Sequence, residues 1–133
     1  MNNVLVWSKW FVVLVGGYLT SLLGGWDMAI KILATFVVLD YIVGVMAACV
    51  QKRVDSQVGF LGIMKKILIF VAIIICYQID LLIGQDILRN LAIFFYIANE
   101  GISILENLGR AGLEYPPAIK DALMQLRGEK YNG

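Results

Sequence analysis

The feature that most limits how this chain folds is a set of four apolar runs, at about residues 7–26, 28–50, 67–84 and 87–108, the last three with carboxylates inside them. A helix needs about 20 residues to cross ~30 Å of hydrocarbon, and each run is near that length. AVILMFWYC make up 60% of the 133 residues. One soluble core of this size cannot hide so much apolar surface, so lipid is expected to cover the rest. The expected class is an all-α integral membrane protein, with four transmembrane helices within residues 1–110 and a short polar tail over 111–133. Pro116-Pro117 prevents a continuous helix into that tail. Three spans plus one interfacial helix is the alternative, because Arg89, Asn99, Glu100, Glu106 and Asn107 interrupt the fourth run.

Orientation follows from the flanks. Trp7 and Trp26 would stand about 28 Å apart on a helix, at the two interfaces where aromatic belts sit. A cleaved leader would want a small-residue site after the run, and GGWDM stands there instead. With both ends and the 51–66 connector in the cytoplasm, the inside holds Lys9, Lys52, Arg53, Lys65, Lys66, Arg110, Lys120, Arg127 and Lys130, and the outside only Lys31 and Arg89. That bias predicts cytoplasmic termini.

Composition also removes function classes. Eleven Lys+Arg against ten Asp+Glu leave a net charge of +1, too little for a field that binds nucleic acid. The chain has no His. Cys49 and Cys76 sit singly in apolar runs without a CxxC spacing, so no catalytic residue, metal site or cofactor is expected.

Helices in lipid associate through small residues and interhelical hydrogen bonds. The first run has two ladders at i, i+4, i+8: Gly16, Thr20, Gly24 and Gly17, Ser21, Gly25. The third repeats the spacing with Ala72, Cys76, Asp80 and Gly84, and the second places Gly44 and Ala48 on the Asp40 side. In the fourth, Arg89, Tyr96, Asn99, Glu100, Ser103, Glu106 and Asn107 fall within an arc of roughly 120°. Each mid-membrane acid opposes insertion by about 2.5–3.5 kcal/mol, so Asp40, Asp80 and Glu100 need partners or water. Either they pair within one bundle and only hold it, or they face a lumen or a protomer interface. A small oligomeric proton-coupled transporter and a pore-forming assembly both use such residues; a polar fourth helix suits the second better.

The residues also carry a resemblance. Asp40-x-x-x-Gly44, then Ser56-x-x-Gly59-x-x-Gly62-x-x-Lys65-Lys66, Asp80, and Glu100-x-x-Ser103-Ile104-x-Glu106-Asn107-x-x-Gly109 followed by Pro116-Pro117 resemble the pattern of the toxin-secretion/phage-lysis holins, holin family 4. The resemblance implies a phage-type protein of the bacterial cytoplasmic membrane. Such a protein would self-associate there and open lesions at a set time. They would release a peptidoglycan-degrading endolysin, or a large toxin, without required contact with it.

Overall fold

The computed structural model describes residues 2–128, and among these it is all-helical. Helix α1 spans Asn2–Leu22, α2 Met28–Val50, α3 Ser56–Ile83, α4 Ile87–Arg110 and α5 Pro117–Leu126. The first four are each long and apolar enough to cross a membrane.

Local chemistry sets the ends. Asp27 caps α2, its carboxylate accepting from the Ile30 amide at 3.1 Å, and Asp55 caps α3 through the Gln57 amide at 2.8 Å. With that cap in place α3 begins at Ser56. Ser56 to Lys66, expected as connector, are therefore helical. The reason is physical: Gly59 and Gly62 weaken a helix but do not stop it, and no proline intervenes.

Helix α1 ends earlier than the apolar run. Gly24 and Gly25 follow it at φ +86° and +106°, and Gly84 closes α3 at φ +80°. These three were expected as packing positions on helices. They are chain-reversal residues instead, in the left-handed region that glycine enters without a Cβ clash. At Gly24 space is also short, for a Cβ would stand 2.7 Å from Arg89 Nε and 2.8 Å from the Tyr77 ring.

Helix α4 is the hub, with α2, α3 and α5 packed on it. Near the α1–α2 turn the core is apolar: Leu23, Ile30, Leu33 and Val37 meet Ile69 and Ile73 of α3 and Ile93 and Ile97 of α4. Helix α1 stands apart. It buries none of its residues and touches only α3 among the other helices. Among the described residues, and apart from its chain neighbours and the backbone of its own helix, nothing lies within 4 Å of a Cβ placed at Gly16 or Gly17.

Candidate functional site: a charged layer inside the bundle

The polar stripe of α4 points into the bundle. Arg89, Glu100 and Asn107 are buried, with Tyr96 and Ser103 partly so, while Asn99 and Glu106 are exposed. The buried members meet acids from α2 and α3 in two clusters.

The first cluster lies one turn beyond the apolar core. Lys66 of α3 donates from Nζ to Asp40 Oδ2 of α2 and to Glu100 Oε2 of α4, both at 2.7 Å. Asp40 Oδ1 also accepts from Asn107 Nδ2 at 3.2 Å. Asn107 Oδ1 accepts from Arg110 Nη1 at 2.9 Å, and Arg110 Nη2 reaches Gln51 Oε1 at 3.1 Å. A continuous polar ladder thus runs from mid-bundle to the end of α2. Gly44 makes room for it, its position leaving Asn107 Nδ2 at 3.3 Å from a would-be Cβ. One ammonium faces two carboxylates, so this layer is short of positive charge.

The second cluster holds the opposite end together. Asp80, 1% exposed, accepts from the Leu88 and Arg89 amides at 3.0 and 2.8 Å and from Gln85 Nε2 at 3.3 Å. It therefore caps α4 across the turn, satisfying amides that the first helical turn leaves unpaired. Arg89 in turn donates to the Leu23 carbonyl at 2.5 Å, to the Gly25 carbonyl at 3.3 Å and to both Asp27 oxygens at 2.8 and 3.3 Å. Among the described residues no buried side-chain polar atom lacks a partner.

The Arg89 guanidinium beside Asp27 holds that carboxyl below the ordinary aspartate value. A lowered folded-state pKa contributes stability that is present above the ordinary value and lost as pH falls through the lowered one. Parent protein should therefore melt above Asp27→Asn at neutral pH, and the two melting temperatures should converge in acid. Parallel melting curves across that range would remove Asp27 from the folding balance.

Of the residues singled out in the sequence, the bundle brings together Asp40, Glu100 and Asn107, and separately Asp80 and Arg89. Ser103 and Glu106 join neither cluster. Asn99 accepts from Arg127, the residue that ends α5, at 3.1 Å. Among the helix-packing candidates, Ala48, Ala72 and Cys76 are half-buried. Thr20 and Ser21 bond back to the Gly16 and Tyr18 carbonyls of their own helix. Lys66 and Asp27 were missed as site residues, because basic residues beside a connector read as loop and Asp27 reads as an end cap.

Four long apolar helices, three of them packed around an internally paired charged layer, define a polytopic helical membrane protein. The bacteriophage holin family matches residues 17–128, and the chain belongs to that family. An uncharacterized 14.9 kDa protein from the nagH 3′ region of Clostridium perfringens is 40% identical over 98% of this chain and 100% of its own length. An uncharacterized protein of Listeria monocytogenes is 40% identical over 87% of this chain and 84% of its own. A probable holin of Bacillus phage phi105 is 34% identical over 69% of each chain. No solved structure matches.

Proposed function

We propose that this chain is a non-enzymatic holin that accumulates in the bacterial cytoplasmic membrane, oligomerises, and opens lesions through which an endolysin or a large toxin passes. Family membership is the observation that carries this reading. The charged layer supports it, because residues paired inside a single copy are stored where a rearranged assembly could present them to water. In one copy Asp40, Lys66 and Glu100 satisfy one another. As surface density rises, the unpartnered Gly16/Gly17 face of α1 and the outer face of α3 bring copies together. The α4 stripe then exchanges its intrachain partners for water at a growing opening. The partner enzyme needs no direct contact.

The test is induced expression in bacteria together with a cytoplasmic muralytic enzyme. Growth should stop after a delay and the enzyme should reach the wall. Cells that stay polarised with the enzyme inside, despite abundant inserted protein, would overturn the reading. The mid-bundle ion cluster favours one competitor, a small proton-coupled transporter. That protein would move small solutes and leave the enzyme inside.

Both termini are proposed to be cytoplasmic. In a Cys49→Ser/Cys76→Ser background, single cysteines at Trp26 and Asp86 should react with an impermeant maleimide from outside, and those at Ser56 and Gly128 should not. External labelling at Gly128 with Ser56 protected would leave three spans.

A further inference from the structure

Helix α1 carries a single charged side chain, Lys9, and its two sides differ. At 100° per residue Lys9, Val13, Gly16 and Thr20 fall within an arc of about 60°, and Trp7, Phe11, Leu14 and Tyr18 lie opposite them. The covered part of α1 is its last turn. Thr20 and Leu22 are half-buried there, and Leu23, the next residue, is buried in the apolar core. Because Thr20 stands on the Lys9 side, that is the side α1 already turns to the bundle. The top of the helix is also held in place: Gln78 of α3 donates to the Leu22 carbonyl at 3.4 Å, and Gly24 sits against the Tyr77 ring.

Below that attachment the bundle has an open apolar groove. Helices α2 and α3 pack more closely on α4 than on one another. The groove between them measures about 260 Å³, with Val38 and Ile42 on one wall, Ile63, Ile67 and Phe70 on the other, and Lys66 among its lining. Ile63, Ile67, Phe70 and Tyr77 share one face of α3, so the groove lies directly under the place where α1 is attached. Depth matches as well. Gln78 to Lys66 is twelve residues, about 18 Å, and Leu22 to Lys9 is thirteen, about 20 Å. Laid along the groove, α1 brings its charge level with Lys66, Asp40 and Glu100. That layer has two carboxylates and one ammonium. Arg110 nearby is engaged with Asn107 and Gln51, and Lys65 is exposed on the far side of α3.

We propose that α1 is a strap that closes in the membrane over the α2–α3 groove of its own copy and seats Lys9 beside the charged layer. Two spanning helices joined only by residues 23–27 must run side by side, and on this side attachment, depth and charge agree. Closed, the layer holds two ammoniums and two carboxylates, so no net charge stays in the bundle at that level. Gly16 lets the α1 backbone come close, and the aromatic side of α1 is left to lipid. The proposal concerns a single copy and stands apart from the lesion reading. In an assembly, the same α1 face must leave its own groove before a neighbour can take it.

The experiment uses the full chain in native membranes, in a Cys49→Ser/Cys76→Ser background carrying Val13→Cys and Ile67→Cys, one on the strap and one in the groove. Oxidation should give an intrachain disulfide, read as monomer that takes up no maleimide-polyethylene glycol after denaturation. Phe11→Cys in place of Val13→Cys, level with Ile67 but on the opposite side of α1, should give about fivefold less. Lys9→Gln should lower the Val13–Ile67 disulfide about fivefold, the loss expected when a contact to a charged group is removed, and Lys9→Arg should keep it. Glu100→Gln should lower it too, because Lys66 then faces one carboxylate and the layer no longer lacks a cation. Equal disulfide from positions 11 and 13 would mean that α1 turns freely in lipid. A Lys9→Gln protein that crosslinks like the parent would mean that the lysine reaches the headgroups instead. Disulfide confined to dimers would put α1 in a neighbour's groove. Each of these three results overturns the proposal. Lysis is not part of the readout, so failure here leaves the lesion reading standing.

Discussion

Lys66→Met should destabilise the detergent-solubilised bundle by about 3–5 kcal/mol, the usual cost of leaving buried charge without its partner. Methionine nearly matches the length of the lysine stem, so packing is largely kept and the loss falls on electrostatics. Two carboxylates, Asp40 and Glu100, lose the ammonium that both contact at 2.7 Å. The change is diagnostic when combined. Asp40→Asn with Glu100→Gln on the Lys66→Met chain should recover most of the melting temperature, since the triple variant buries no unpaired charge at this layer. Circular dichroism melts in one detergent would show it. A Lys66→Met protein as stable as the parent would mean that water reaches the layer and screens it.

Arg89→Leu should cost about 2–3 kcal/mol, in the range for hydrogen bonds made by a buried charged group. The guanidinium joins α4 to the α1–α2 turn through the Leu23 and Gly25 carbonyls and Asp27. Asp27 is half exposed and regains water when the arginine leaves, so the figure is below that for Lys66. The turn carbonyls do not all recover in this way. The turn should also loosen, so proteolysis between residues 22 and 28 should speed several-fold in Arg89→Leu. Arg89→Lys should fall between the two, because an ammonium cannot serve carbonyl and carboxylate in one planar fork. Unchanged cleavage would show that Gly24 and Tyr77 packing alone holds the turn.

Much of this arrangement was legible in the residues, and the gaps have physical causes. Apolar length gave four long helices, since backbone polar groups in lipid leave few alternatives to a helix. The period of α4 gave its polar stripe, with Arg89, Glu100 and Asn107 on one side. Periodicity names a face but not its neighbour. It could not show that Asp40 and Lys66, 26 residues apart in sequence, share one contact, nor that Asp80 caps a helix across a turn. Lys66 was hidden because a basic pair before an apolar run reads as a flank, while the Asp55 cap extends the helix through it. Gly24, Gly25 and Gly84 fit a spacing of four as well as any packing glycine. Only their backbone angles separate the two uses.

The order of layers along the bundle bears on what a solitary copy does to a cell. From the Gln51–Arg110 end, the polar ladder reaches Asp40, Lys66 and Glu100 and stops. Beyond it stands a plug of Val37, Ile69 and Ile97, then Leu33, Ile73, Ile93 and Ile30, buried and without a polar side chain. Ile30 to Val37 alone is seven residues, about 10 Å of dry thickness. An ion at the inner end of the ladder would have to shed its water to cross that plug, at a cost of many times thermal energy. A single bundle therefore offers an ion no continuous polar path from one end to the other.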